Sequence, residues 1–477
     1  MYIFFWATVV CASLVFSLTA VFHALIMKRD PRSALGWIVV SITIPFLGPL
    51  LYWIMGINRI SRKAKRWQEK GRSIGGRNVF QLIRRDYVPP SLPGFAFHLR
   101  ELRNLSDRIV SSVFTAGNRI TPLYNGDEAY PEMLHAIAGA RSSIHLSTYI
   151  FDVDRTGLLF VEALNQAASR GVEVRVLVDG LGEKYSFPTA RSLFKGSKVE
   201  FSRFLPLRQG GYLNLRNHRK TLVVDGLTGF SGGMNIGGRH MIKVPEANFP
   251  VADVHFKFEG PVVGDLQQVF LEDWYFATRR LMDEKRYFPP LTEKGFSLAR
   301  VIADGPEKGF RNLHWIIMGA LSCARKRVGI MTPYFIPDRA MISSMATTAM
   351  RGIEVTLVLP AINNLPLVHW ATRSYLWELL QCGIRVFYQP PPFAHTKLFL
   401  VDGVWSLLGS ANIDPRSLRL NFELNMEVYD RKFTETMDVV FMKAVNRSKE
   451  VSLDDMDNRP FHEKLRDGVA KLFSPYL

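Results

Sequence analysis

The chain opens on two apolar runs, residues 3–27 and 35–57, and then changes to short alternations of strand-like and helix-like pattern. Each run is long enough to cross the roughly 30 Å hydrocarbon core of a bilayer as a helix. Pro45, Gly48 and Pro49 predict a kink in the second run. Trp37, Tyr52 and Trp53 stand near its ends, where amphipathic aromatics favour the headgroup zone. The first run lacks the basic start and small-residue cleavage site of a secretory signal, and another apolar run follows at once. Residues 1–60 are therefore expected to form a membrane hairpin, with helices at about 3–27 and 35–57.

Past the proline-rich "YVPPSLPG" (87–94) the pattern becomes that of a globular α/β chain. "RSSIHLSTYIF" (141–151) predicts a buried strand, "LLFVEALNQAASRG" (158–171) an amphipathic helix closed by glycine, and "VEVRVLVDG" (172–180) another strand. The same order returns in "RKRVGIMTPYFIPD" (325–338), a helical stretch ending at "AMRG" (349–352), and "IEVTLVLP" (353–360). A duplicated unit of this kind predicts two similar lobes of mixed sheet and helix. The expected divisions are a basic linker over 61–115, a first lobe over 116–290 and a second over 291–477. The charged, proline-containing stretch 279–295 is the connector.

Charge sharpens this picture. The chain carries 60 Lys+Arg against 43 Asp+Glu, a formal +17. Residues 1–90 hold thirteen of the basic and three of the acidic residues, so +10 of the excess sits beside the apolar runs. That placement favours an anionic membrane surface over nucleic acid. The cluster Arg59, Arg62, Lys63, Lys65, Arg66, Lys70 and Arg72 predicts a cytoplasmic catalytic part, although Lys28, Arg29 and Arg32 between the runs pull the other way. Cys11, Cys323 and Cys382 have neither metal-site nor disulfide spacing, which fits a reducing compartment.

The repeat also carries chemistry. "NHRKTLVVDG" (217–226) and "AHTKLFLVDG" (394–403) both spell HxKxxxxD, 177 residues apart. Residues i and i+2 of a strand share a face, so His218 pairs with Lys220 and His395 with Lys397. Two lobes related by approximate two-fold symmetry can merge those faces into one site. Two imidazoles and two ammonium groups are what a phosphodiester requires: a nucleophile, an acid for the departing alcohol, and cations for the phosphate. Counted from each histidine, Gly232 matches Gly409, Gly233 matches Ser410 and Asn235 matches Asn412. Small residues and asparagine there can hold phosphate oxygens. Asp253 and Glu423, in strand-like stretches downstream, are candidates to orient the histidine of their own lobe. Asp225 and Asp402 fall at a strand end before a glycine turn and read as caps. His145, His240, His255 and His369 lack a repeat or metal-ligand spacing and read as structural. Tyr149 and Tyr334 read as core tyrosines.

This constellation resembles the phospholipase D superfamily, whose signature HxKxxxxD(x)6GSxN occurs once per lobe. The second copy matches in full through His395, Lys397, Asp402, Gly409, Ser410 and Asn412, whereas the first has Gly233 in place of serine. With the N-terminal hairpin, "MTPYFIPD", "NFELN" and the terminal "LFSPYL", the whole chain is similar to the bacterial cardiolipin synthases of that superfamily. The resemblance implies one active site shared by both lobes and a catalytic set of His218, Lys220, Asp225, His395, Lys397 and Asp402. Asn235, Ser410 and Asn412 would bind phosphate. It further implies a phosphatidyl-histidine intermediate, on His218 in this reading, and transfer between two phosphatidylglycerols with loss of glycerol. No metal or other cofactor is implied, and the partners are phosphatidylglycerol, other anionic phospholipids and the bacterial inner membrane, crossed more than once. A lipid hydrolase would use the same residues with water as acceptor. A nuclease fits the motifs but not the membrane segment, and a non-catalytic lipid-binding scaffold fits poorly with two intact motifs.

Overall fold

The computed structural model describes residues 2–28, 31–56, 88–206, 215–243, 249–282, 285–305 and 312–474. The basic cluster at 59–72 and the last three residues lie outside the described residues. The chain divides into two compact units, Met1–Lys63 and Ala64–Leu477.

In the first unit the helix Tyr2–Met27 is long and apolar enough to cross a membrane, and it is the one such helix among the described residues. The second run is not a second span. It divides into a helix at Pro31–Thr43, a short helix at Leu47–Leu51 and a π-turn at Tyr52–Gly56. The break falls at Pro45, which cannot donate a backbone hydrogen bond, and at Phe46, whose φ is 61°. The two arms then fold against each other. A Cβ on Gly48 would stand 2.1 Å from the Val40 carbonyl oxygen, so only glycine allows the approach. The Tyr52 ring lies 5.5 Å from that of Trp37. Tyr52 is seated on Ala20 and Ala24 of the long helix, and its hydroxyl lies 2.6 Å from His23 Nδ1.

The second unit is built on one sheet, fifteen-stranded among the described residues. The first lobe supplies β1 (Thr115–Tyr124), β2 (Ser143–Thr148), β3 (Glu173–Asp179), β4 (Glu200–Phe204), β5 (Thr221–Val224), β6 (Thr228–Gly232), β7 (Val251–Ala252) and β8 (Val254–Glu259). The second supplies β9 (Ser297–Asp304), β10 (Arg327–Met331), β11 (Glu354–Pro360), β12 (Arg385–Gln389) and β13 (Phe393–Ala394). It continues with β14 (Leu398–Val401), β15 (Trp405–Gly409), β16 (Glu423–Tyr429) and β17 (Lys449–Val451). Outward from the centre the order is β1-β8-β6-β5-β2-β3-β4 on one side and β9-β16-β15-β14-β10-β11-β12-β17 on the other. The two sequences of strands are the same, and β1 pairs antiparallel with β9 where they meet. The duplicated pattern therefore folds into two halves of one sheet about an approximate two-fold. Apolar side chains of both halves share one layer, in which Ile120, Phe256 and Phe258 pack with Val301, Met426 and Phe433. Burying each such side chain contributes roughly 1.5–3 kcal/mol.

The stretch up to residue 115 is linker only in part. Gly94–Leu99 and Arg100–Ile109 are helical. Their apolar face, Ala96, Leu99 and Leu102, enters the second-lobe core beside Leu313, Ile316 and Ile317. Arg300, fully buried, ties this arm down by donating from Nε to Glu427 and from Nη1 to Asp107, both at 2.8 Å. Helices flank the sheet at the predicted places, Arg155–Ser169 and Arg339–Met350 among them, each started by an aspartate cap, Asp154 and Asp338.

Candidate active site

Each HxK pair follows a short segment that crosses to the other lobe. β13, just before His395, pairs in parallel with β7, and Asn217, just before His218, bridges to Phe422. The backbone N–H of His218 donates to the Phe422 carbonyl at 2.9 Å and that of His395 to the Ala252 carbonyl at 2.7 Å. These crossings set each histidine beside the carboxylate of the opposite lobe. His395 Nδ1 lies 2.8 Å from Asp253 Oδ2, and His218 Nδ1 lies 3.1 Å from Glu423 Oε2. The expectation that each carboxylate serves its own lobe is thus corrected. The reason is the strand swap at the lobe boundary, which the linear order of the motifs conceals.

The lysines follow the two-residue rule. Lys220 and Lys397 are buried, and each Nζ donates to the carbonyl of its own motif histidine at 2.6 Å. Lys397 Nζ also lies 2.9 Å from His395 Nε2. With Nδ1 facing Asp253, that contact makes His395 a Nδ1–H tautomer whose Nε2 accepts. His218 Nε2 has no hydrogen-bond partner among the described residues.

Burial dominates the electrostatics. It pushes Lys220 down to about 7 and Lys397 down to about 8, with Glu423 and Asp253 opposing. Burial and then the lysine charges lower both histidines, His395 furthest, although Glu423 holds His218 up in part. Burial raises Asp253. Glu423 is also penalised by burial, but His218, Lys220 and the Ser410 hydroxyl together hold it below its ordinary value. Two ammonium groups, two carboxylates and two neutral imidazoles make a nearly neutral cluster that gains from one entering anion.

Several sequence-predicted residues fall elsewhere. Asp225 and Asp402 lie five residues beyond their lysines, roughly 16 Å along an extended strand. Asp225 accepts from the backbone N–H groups of Arg141, Ser142 and Ser143 at 2.7–2.9 Å. Asp402 accepts from Arg325, Lys326 and Arg327 at 2.8–3.0 Å, and His98 Nε2 stands 2.8 Å away. Both have φ near +55°, the left-handed conformation that opens an Asp-Gly hairpin turn. They brace the strands and do not reach the histidines. Ser410 donates to Glu423 Oε2 at 2.5 Å and accepts from the Leu424 N–H at 2.9 Å, so its hydroxyl is spent on the carboxylate behind His218. At the matching Gly233 a Cβ would stand 2.3 Å from Asp253 Oδ2, which accounts for glycine in the first copy. Asn235 accepts through Oδ1 from Ile150 N–H at 3.0 Å, leaving its amide donors uncommitted, whereas Asn412 donates to Ser417 Oγ at 3.3 Å.

Other groups enter that the sequence reading left in the core. The Tyr149 ring lies 5.4 Å from His218 and the Tyr334 ring 6.3 Å from His395. His240 is buried 6.4 Å from His395, ring to ring. Arg239 and Arg416 form one further repeated pair, each 21 residues after its motif histidine, in "NIGGR" and "NIDPR". Carrying the count four residues past each asparagine finds them.

Comparisons with known proteins agree with this site. A family model described as a cardiolipin synthase, phospholipase D-like domain matches residues 133–274 and 317–445. A second, described as a phospholipase D-nuclease N-terminal segment, matches 15–56. The chain is 31% identical over 480 residues to a cardiolipin synthase of Geobacillus thermodenitrificans, covering 98% of this chain and 93% of that one. It is 30% identical over 466 residues to the major cardiolipin synthase of Bacillus subtilis, covering 94% and 95%. Among solved structures, a phosphatidylserine synthase of Haemophilus influenzae superposes with a TM-score of 0.61 at 15% identity, over 79% of this chain and 100% of the other, a likeness of fold.

Proposed function

Since the chain belongs to the family of cardiolipin synthases with phospholipase D-like domains, we propose that it moves a phosphatidyl group from one phosphatidylglycerol to another, releasing glycerol. The observation that carries this reading is the crossed pair of histidine–carboxylate contacts, which draws both motifs into one cluster. His218 Nε2, free of a partner among the described residues, attacks phosphorus. The P–O bond to the glycerol headgroup breaks, and His395 gives its Nε2 proton to the departing oxygen. The entering phosphate anion offsets the two lysine charges that disfavour protonated His395. A hydroxyl of the second phosphatidylglycerol then attacks the phosphatidyl-histidine, returns a proton to His395 and frees His218. Lys220, Lys397 and the amide of Asn235 hold the phosphate oxygens. One phosphodiester is exchanged for another, so no nucleotide is consumed.

The N-terminal unit supports a membrane setting with one crossing by Tyr2–Met27. The second run enters and returns as a hairpin of helices, leaving the basic residues at 28–32 and 59–72 on one face. Both clusters then favour the cytoplasm, and the conflict between them disappears. The catalytic part is cytoplasmic in this reading.

Purified full-length enzyme given phosphatidylglycerol alone should form cardiolipin and glycerol in equal amounts, and added glycerol should reverse the reaction. Phosphatidic acid as the main product would replace the synthase reading with a hydrolase.

A further inference from the structure

The two lobes differ at one place beside the site. Asp152 N–H donates to the Ile236 carbonyl at 2.9 Å, and Ile336 N–H donates to the Ile413 carbonyl at 2.7 Å. The neighbouring bridges Phe151–Ile236 and Phe335–Ile413 repeat the same geometry. Ile336 is therefore the second-lobe counterpart of Asp152, just as Arg416 is the counterpart of Arg239. In the first lobe Asp152 Oδ2 accepts from Arg239 Nε at 3.0 Å and Nη2 at 2.7 Å, which neutralises that arginine. In the second lobe the carboxylate has become a buried isoleucine. Arg416 is left partly exposed, and its guanidinium has no hydrogen bond or ion pair among the described residues.

Its charge bears on two groups, the Tyr149 phenol and the Asp414 carboxylate. Tyr149 stacks edge-on to His218, so Arg416 stands on the nucleophile side of the site. Asp414 is a weak counter-ion. It is buried, it accepts from the Ser417 N–H at 2.6 Å, and burial pushes its carboxyl up to about 6. The duplication thus retained the arginine and lost its partner on one side only.

A transfer between two phosphatidylglycerols has a matching need. While one phosphate is bound covalently, the acceptor brings a second, unreacting phosphodiester, joined by its glycerol bridge to the attacking hydroxyl. That second anion is repelled by the first unless a separate cation receives it. A guanidinium, with donors in a planar fork, suits phosphate better than an ammonium does. We infer that Arg416 is the binding residue for the phosphate of the acceptor lipid, and so determines whether an anionic lipid or a neutral alcohol completes the reaction. This inference rests on the synthase reading above.

The test compares two acceptors on the same donor. Full-length enzyme in mixed micelles of phosphatidylglycerol is assayed for cardiolipin formation and for exchange of labelled glycerol into phosphatidylglycerol. Arg416→Gln is expected to lower the ratio of cardiolipin formation to glycerol exchange by about tenfold or more, through a higher KM for the acceptor lipid. Arg416→Lys should recover part of the ratio, because charge returns without the fork. Equal loss of both rates in Arg416→Gln, or an unchanged ratio, would overturn the assignment while leaving the synthase reading intact. Wild-type enzyme that exchanges glycerol but makes no cardiolipin would overturn both.

Discussion

At the scale of single residues the site is governed by burial of charge. Lys220 and Lys397 sit at about 7 and about 8 because burial disfavours the ammonium form, and both must be charged to hold phosphate. As pH rises through those values the free enzyme loses its cations, so kcat/KM should fall on the alkaline side between about 7 and 8. A bound phosphate favours the charged lysines, so the same limb in kcat should lie higher. On the acid side the nucleophilic imidazole must be neutral. Its pKa is lowered by burial and the lysines, so that limb should lie below the ordinary imidazole range. Initial rates across pH, with lipid both limiting and saturating, check this; an alkaline limb that is the same in both would contradict it. Lys220→Met or Lys397→Met should cost on the order of 10²-fold or more, the scale expected for removing a group that stabilises developing charge.

At the scale of elements the motif separates into two jobs. The strand after each lysine carries the HxK face into the site at one end and an aspartate brace at the other. Asp225→Asn and Asp402→Asn each keep one carboxamide oxygen where two carboxylate oxygens serve three backbone N–H groups. Each should cost about 1–3 kcal/mol, read as lower thermal stability, with activity lost in proportion to unfolding. Full stability with no activity would instead place the carboxylate in the chemistry. The strands and helices of both halves were legible in sequence, since apolar runs bounded by glycine and capping aspartates set them locally. The shared cluster was legible from the repeat. What was not legible depends on contacts far apart in the chain: the exchange of Asp253 and Glu423 between lobes, the approach of Tyr149 and Tyr334 to the histidines, and the packing of residues 94–109 on the second lobe. The second apolar run misled for a local reason, because its length suits a span but Pro45 and Gly48 allow it to turn back.

For the whole molecule, one crossing followed by a returning hairpin places residue 30 and residue 68 on the same face of the membrane. In a chain whose native cysteines are replaced by serine, Asp30→Cys and Gln68→Cys should both resist an impermeant thiol reagent in intact cells and both react after permeabilisation. Labelling of Asp30→Cys alone from outside would restore a two-span hairpin. The central claim is that two lobes build one site in which one histidine attacks and the other carries the proton. Groups acting as such a unit are not additive, so losing either should cost about as much as losing both. The most direct measurement is turnover of phosphatidylglycerol to cardiolipin by purified His218→Ala, His395→Ala and the double variant, with folding checked by thermal melting. All three should be inactive to a similar floor while melting as folded proteins. A single variant that retains a substantial fraction of wild-type turnover would contradict the shared site.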